Sequence, residues 1–283
     1  MSIIGNVISN AVDGNLPSAA FSYWFIFCKE NLLLFKNKSG AYEIPKGKNP
    51  PVVIAPWHRQ HPIASMDGFE CIAVSIDEPQ EPEGYDYVPL RQSYDFLPYD
   101  FYVLAGKARE LIYWDKNTQY CGVCGAPMRY HTSISKRCTC CGKEVWPSLA
   151  LAIIVLISRG DEVLLVQSRK FKGDYYGLVS GFVETGESLE QCVGREVLEE
   201  TSLRIGGLTY VGSQSWPFPS ALMAAFRAQY VSGDLSLQYS ELRKGGWFRW
   251  DHLPALPKED SIARKMIDAW AQERRALCKD TSY

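Results

Sequence analysis

Three carboxylates, Glu196, Glu199 and Glu200, stand at i, i+3 and i+4 near the end of a predicted helix. Ordinary helix design places cations there, because the C-terminal end of the macrodipole is negative. Like charges one turn apart also repel. A helix that breaks both rules points to a bound divalent metal. The helix starts at Ser188, an N-cap with Gln191 three residues on, the pattern of a capping box. At about 100° per residue, Leu189 and Val193 point the same way as Glu196 and Glu200. The inward face is therefore apolar for two turns and acidic for the last, which is costly unless something positive neutralises it. The competing reading is a solvated acidic face. It leaves unexplained the loop before the helix, Gly181 to Glu187 with a second glycine at Gly186.

That loop and the run Arg195-Glu-Val-Leu-Glu-Glu200 resemble the Nudix box: Gly, five residues, Glu, seven residues, then Arg-Glu-apolar-x-Glu-Glu-x-Gly-apolar. Gly181, Glu187, Arg195, Glu196, Val197, Glu199, Glu200 and Leu203 fall in register. Ser202 replaces the usual glycine. A left-handed residue is favoured at that helix end, so serine costs on the order of 1 kcal/mol; no metal ligand is lost.

A second cluster lies upstream. Cys121-Gly-Val-Cys124-Gly and Cys138-Thr-Cys140-Cys141-Gly form two Cys-x-x-Cys knuckles with thirteen residues between them, which suits a tetrahedral four-cysteine zinc ribbon. Cys140 is an alternative ligand, but Cys141 gives the two-residue spacing and the following glycine. Disulfides are the competing reading. Four thiolates leave no open position, so the site is expected to be structural, and His131 between the knuckles a surface or packing residue. The intervening segment has only Arg129, Lys136 and Arg137 as charges, so the ribbon reads as a scaffold rather than a nucleic-acid adaptor.

The chain has 283 residues, 46% of them hydrophobic, and a formal net charge of -2. That supports about two domains of ordinary size and gives no global pull toward nucleic acid or membrane. No apolar run reaches the ~18 residues of a membrane span, and no secretion signal is evident. The other five of the nine cysteines look unpaired, so the expected compartment is the cytoplasm.

Aromatic and apolar runs such as Phe21 to Phe27 and Cys71 to Ser75, broken by Pro50-Pro51 and Pro79 to Pro82, predict a mixed sheet domain over 1–115. A helix is predicted from Asp100 to Trp114, and the ribbon over 116–147. From 148 to 283 the pattern predicts a buried strand from Leu149, a turn at 159–161, a partner strand at Val163–Val166, and the Glu-rich helix. Strands near 205–213, 222–231 and 246–250 and a helix over about 260–277 complete it. No internal sequence repeat is visible. The fold class is α+β: the α/β/α sandwich with a mixed sheet that the Nudix resemblance implies, preceded by the zinc ribbon and an N-terminal mixed α/β domain.

Ser213-Gln-Ser-Trp-Pro-Phe-Pro-Ser-Ala-Leu-Met223 lies ten residues beyond the box and resembles the Ser-Gln-Pro-Trp-Pro-Phe-Pro signature of NADH pyrophosphatases. A proline-locked aromatic loop is a preorganised platform for a planar ring; packing is the alternative for Trp216 and Phe218. Ser215 and Ala221 depart from the pattern, where proline and serine are usual. The ribbon before the Nudix domain is also part of this subfamily's layout, and Pro89 to Gln92 and Leu104 to Leu111 are similar to its N-terminal segments.

The resemblance implies the following roles. Glu196 and Glu200, with the Ser180 carbonyl and Glu241, hold the catalytic Mg²⁺ or Mn²⁺, and Glu199 completes the cluster or helps activate water. Arg195 and Glu187 hold the loop against the helix. Phe182 and Trp216 sandwich the nicotinamide, with Gln214, Ser215, Pro217, Phe218, Pro219, Ser220 and Ala221 lining the site. Arg91, Trp146 (usually tyrosine) and Ala263 match other positions in contact with the dinucleotide. The implied protein is a homodimer that hydrolyses the pyrophosphate of NADH or NAD⁺ to NMN(H) and AMP, with Glu200 or Glu199 as base. The same chemistry extends to NAD caps at RNA 5′ ends, and ADP-ribose and dinucleoside polyphosphates stay open as substrates. The alternative from another class is a Nudix-like sensor that binds a nucleotide without cleaving it. Such proteins usually lose box carboxylates, and every one is present here.

Overall fold

The computed structural model describes residues 21–170 and 173–280, with 279 and 280 by backbone only. Residues 1–20 of the expected N-terminal domain therefore lie outside the description. The chain forms two units, one of residues up to 148 together with Pro217–Ser220, the other of Leu149–Trp216 and the residues from Ala221 on.

The first unit opens with β1 (Ser22–Cys28), β2 (Asn31–Lys36), β3 (Tyr42–Glu43) and β4 (Lys46–Gly47). β5 (Gln60–Met66), β6 (Phe69–Ile76) and β7 (Tyr85–Pro89) follow. A short 3-10 helix (Leu90–Asp95) leads into α1 (Tyr99–Asn117). The strands join in the order β3-β2-β1-β6-β5, with β4 on β1 and β7 on β2; β1 and β6 run parallel, so the sheet is mixed. Alternation along β1 sends Phe25 and Phe27 to one core, under Leu104, Ala105, Ala108 and Ile112 of α1. Trp24, Ile26 and Cys28 go to another core, with Leu33, Val52 and Val74. β3 and β4, two residues each, are too short to show a period in the sequence. The ribbon follows as β8 (Met128–Thr132), β9 (Ser135–Cys138) and β10 (Glu144–Val145), an antiparallel three-stranded sheet.

The second unit contains β11 (Ala150–Arg159), β12 (Glu162–Ser168), β13 (Val179–Phe182) and α2 (Leu189–Thr201). β14 (Arg204–Trp216), β15 (Ala221–Ser232), β16 (Leu242–Arg249) and α3 (Ile262–Asp280) complete it. The sheet runs β14-β15-β11-β12-β16, with β13 on β11. β11 is parallel to β15 and antiparallel to β12 and β13. The continuous apolar run of β11 serves two cores. Ile153, Val155 and Ile157 pack with Cys192, Val193 and Val197 of α2, while Ile154 and Leu156 pack with Ile262, Met266, Ile267 and Trp270 of α3. One helix lies on each face, which makes the sandwich α/β/α.

The Ser213–Met223 motif differs from the loop expected of it. Ser213 to Trp216 are strand β14, Ala221 onward is strand β15, and only Pro217–Ser220 turn between them. Cross-strand pairing extends as far as Trp216 and Ala221, because prolines stop the ladder only where they stand.

Candidate active site and cysteine ribbon

β13 brings Ser180, Gly181 and Phe182 to the edge of the α2 helix. Gly181 leaves room for the Glu196 carboxylate: a Cβ there would overlap it and push it out of place. The capping box forms, with Gln191 N donating to Ser188 Oγ at 3.2 Å and Ser188 N donating to Gln191 Oε1 at 2.8 Å. At the other end Ser202 adopts φ 60, the left-handed turn its position demands. The orphan carbonyls of the last turn accept from the following loop: Gln238 N donates to Glu200 O and Ser236 N to Thr201 O. That wrap carries Glu241 to the acidic end of the helix.

Arg195 organises the loop. Its Nε and Nη2 donate to the two oxygens of Glu187 at 2.5 and 3.0 Å, and Nη2 also donates to Phe182 O at 3.1 Å. Its Nη1 reaches Glu196 at 2.8 Å and Glu199 at 3.1 Å. With the Arg195 bonds and the Glu184 N–H on it, the Glu187 carboxyl is held down to about 2. Glu200 is the opposite case. It is buried, and burial, then Glu196 and Glu241, push its carboxyl up to about 7. Lys170 opposes this and pairs with Glu241 at 2.9 Å. Sequence patterning had no signal for that pair; Lys172, the neighbouring cation, lies outside the described residues.

The structure thus brings Glu196, Glu199, Glu200 and Glu241 into one electrostatic neighbourhood without closing them into a tight ligand set. Among the described residues, only the four cysteines place three or more ligand atoms within 4.8 Å of one another. The oxygen donor set still fits a hard divalent ion. A buried carboxylate destabilised by like charges is the group that a cation would restore.

The other expected site residues divide into exposed and structural. Phe182 and Trp146 present rings that are 61% and 54% exposed. Arg91 is exposed on the 3-10 helix and Ser215 on β14, while Trp216 is half-buried. The Gln214 amide is taken up at the start of α3, donating to Asp260 O at 2.7 Å and accepting from Ile262 N at 2.6 Å. Ala221 and Ala263 are buried, Ala263 within the α3 core. Pro217 to Ser220, Pro219 included, belong with the first unit. There Phe218 packs on the α1 core and Ser220 Oγ donates to Ser148 O.

In the ribbon, Cys121 Sγ lies 3.6 Å from Cys141 Sγ, and Cys124 Sγ 3.5 Å from Cys138 Sγ. Tetrahedral zinc with bonds of ~2.3 Å separates its sulfurs by about 3.8 Å, so the set fits that ion. Backbone N–H groups of Cys140 and Cys141 point at Cys138 Sγ and bring that thiol down to about 6. Gly125 and Gly142 turn each knuckle at φ 73 and 74. Cys140 is exposed and outside the set, and all nine cysteines are free of disulfides. Below the ribbon, Lys136 is buried and pairs with Asp115 at 2.5 Å, while His61 faces the other Asp115 oxygen at 3.5 Å.

A sandwich with this glycine loop and acidic helix is the arrangement of one class of protein. Residues 148–270 match the NUDIX domain model, and the chain belongs to the Nudix family. The first unit narrows the branch: residues 22–114 match the NADH pyrophosphatase-like rudimentary NUDIX domain, although no repeat shows in the sequence. The NAD-capped RNA hydrolase NudC of Pseudomonas aeruginosa is 40% identical over 221 residues, 77% of this chain and 79% of that protein. NudC of Stutzerimonas stutzeri is 35% identical over 261 residues, 91% and 92% of the two chains. NudC of Yersinia pestis is 37% identical over 263 residues, 92% and 95%. No helix of the described residues is long and apolar enough to cross a membrane.

Proposed function

We infer that this chain hydrolyses the pyrophosphate bond of NADH and NAD⁺ to NMN(H) and AMP, and removes NAD caps from RNA 5′ ends. The carrying observation is the buried Glu200 carboxyl, raised to about 7 among Glu196, Glu199 and Glu241 on a helix clamped to its loop by Arg195 and Glu187. The box carboxylates that a nucleotide sensor would have lost are all in place. Glu196, Glu200, Glu241 and the Ser180 carbonyl would hold Mg²⁺ or Mn²⁺, with Glu199 beside them. When bound, the ion supplies charge screening for the pyrophosphate and acidifies a water.

The chain's own residues do the rest. Arg195 fixes the Glu196 and Glu199 carboxylates by its fork of N–H donors. Glu200, or Glu199 at the exposed rim, accepts the water's proton as general base. The rings of Phe182 and Trp216 hold the nicotinamide, and Trp146 and Arg91 take other parts of the dinucleotide. Cys121, Cys124, Cys138 and Cys141 hold a structural Zn²⁺. The division into 1–115, 116–147 and 148–283 describes the functional parts. The protein acts as a homodimer, for which exposed Leu149, Leu151 and Tyr210 offer apolar surface, and its thiols suit the cytoplasm.

The test is NADH turnover with Mn²⁺ or Mg²⁺, following NMNH and AMP by chromatography, for wild type and Glu200→Gln. Metal-dependent release of both products, lost in the variant, is expected. A wild type that binds NADH without cleaving it would overturn this reading in favour of the sensor.

A further inference from the structure

The first unit contains a cavity of about 610 Å³ that none of the roles above uses. Its floor is electrostatically closed: Asp115 is spent on Lys136 and His61. At the rim the Asp77 carboxylate accepts from His58 Nε2 at 2.8 Å and Trp57 Nε1 at 3.2 Å. Three further cations line the same space. Arg59 Cζ lies over the Tyr130 ring, 3.4 Å from its centroid, and Lys116 Nζ donates to Ser75 Oγ at 2.9 Å. Arg129 projects from β8. Among the described residues none of these three has a carboxylate within ion-pair distance, and all three side chains are exposed. Beside them the Trp57 indole is 75% exposed.

A concave, low-dielectric wall focuses the field of such cations on an anion, although Asp77 offsets part of the Lys116 charge. The volume is that of a small-molecule site of roughly 300–1,000 Å³. Cations along a groove with an exposed aromatic ring is how proteins hold single-stranded nucleic acid: phosphates go to the charges and a base stacks on the ring. We propose that this cavity seats nucleotides of the single-stranded RNA body, with its phosphates on Arg59, Lys116 and Arg129 and a base on Trp57. This rests on the reading of NAD-capped RNA as a substrate. It gives the ribbon strand β8 a binding role beside its scaffold role.

The experiment uses the full chain with Arg59→Glu/Arg129→Glu, Trp57→Ala and, as a milder surface change, Lys116→Glu, each checked for an unchanged melting curve. Binding of a short, uncapped, unstructured RNA is read by fluorescence anisotropy at several salt concentrations. Hydrolysis is read on NAD-capped RNA and on free NADH. Loss of two phosphate contacts should weaken RNA binding at least ~10-fold and shallow the log–log salt slope by about 1.4. Trp57→Ala should cost roughly 10-fold with the salt slope unchanged. The KM for capped RNA should rise in parallel, while kcat/KM on free NADH stays at the wild-type value. Unaltered RNA binding, or equal losses on capped RNA and free NADH, would overturn the proposal. Tight binding of inorganic phosphate or AMP with no preference for RNA would overturn it too, reassigning the cavity to a small anion. Because the anisotropy needs no turnover, it decides this site even if the hydrolysis reading fails.

Discussion

Asp115 and Glu200 hold equivalent places in the two units. Each lies in the last turn of a helix, on the side the macrodipole disfavours for an anion, and each is 8% exposed. Their carboxyls nevertheless move in opposite directions. Burial pushes both up. At Asp115, hydrogen bonds and charge from His61 and Lys136 overturn that and hold the group well below the usual carboxylate range. At Glu200, Glu196 and Glu241 add to it, and the carboxyl rises to about 7. The first unit closes its buried charge with its own side chains, whereas the second leaves an excess of negative charge that Lys170 offsets only in part. A finished ion pair makes structure, and an unfinished one makes a site.

The contrast is broken most severely at the unfinished pair. Glu200→Gln should lower metal-dependent kcat/KM on NADH at least roughly 10³-fold, since ion-assisted stabilisation is worth several kcal/mol at 1.36 kcal/mol per decade; steady-state kinetics check it. Next in size is the ribbon. Cys138→Ser should abolish bound zinc, read by elemental analysis, and unfold the ribbon, whereas Cys140→Ser should leave one zinc per chain. Asp115→Asn, which strands Lys136, should destabilise the protein by about 3–5 kcal/mol in denaturant unfolding. The same substitution tried at the second site should act in the opposite sense on stability.

The pH profiles sharpen this further. The Glu200 carboxyl has a folded value above its ordinary 4.5, so the folded chain binds the extra proton between pH 4.5 and about 7. Stability of the metal-free wild type should therefore fall as pH rises through that window. Metal-free Glu200→Gln should be the more stable protein at pH 8, by on the order of 2–3 kcal/mol. Mn²⁺ should raise the Tm of the wild type and leave that of the variant nearly unchanged. Asp115 has the reverse sign: its contribution is complete above pH 4 and is lost as pH falls below that. The smallest expected effect is at the helix end, where Ser202→Gly should stabilise by about 1 kcal/mol.

The second unit was largely legible in the sequence because its signals are local. The capping box spans three residues, the left-handed position at Ser202 follows from the box register, and the apolar run of β11 announces a strand buried on both faces. What escaped is long-range. Lys136 meets Asp115 across 21 residues, Gln214 meets Ile262 across 48, and Lys170 meets Glu241 through a wrap that only the folded chain makes. None of these pairs has a period or a spacing to betray it. Gln214 shows the consequence: a residue expected from its motif to line a ligand site has its amide committed to holding a helix start. Arg59, Lys116 and Arg129 show the converse, since three charges far apart in the sequence line one cavity only in the folded chain.

The tip of the β14–β15 hairpin separates chain order from membership. Pro217–Ser220 belong to the unit formed by residues up to 148, where Phe218 completes the α1 core and Pro217 lies so close that a methyl at Gly106 would stand 3.1 Å from it. A polypeptide ending at Ser148 would inherit an interior with one ring missing. Swapping front halves between relatives would likewise transplant half of a lock, and the four residues that complete it would have to travel from far downstream.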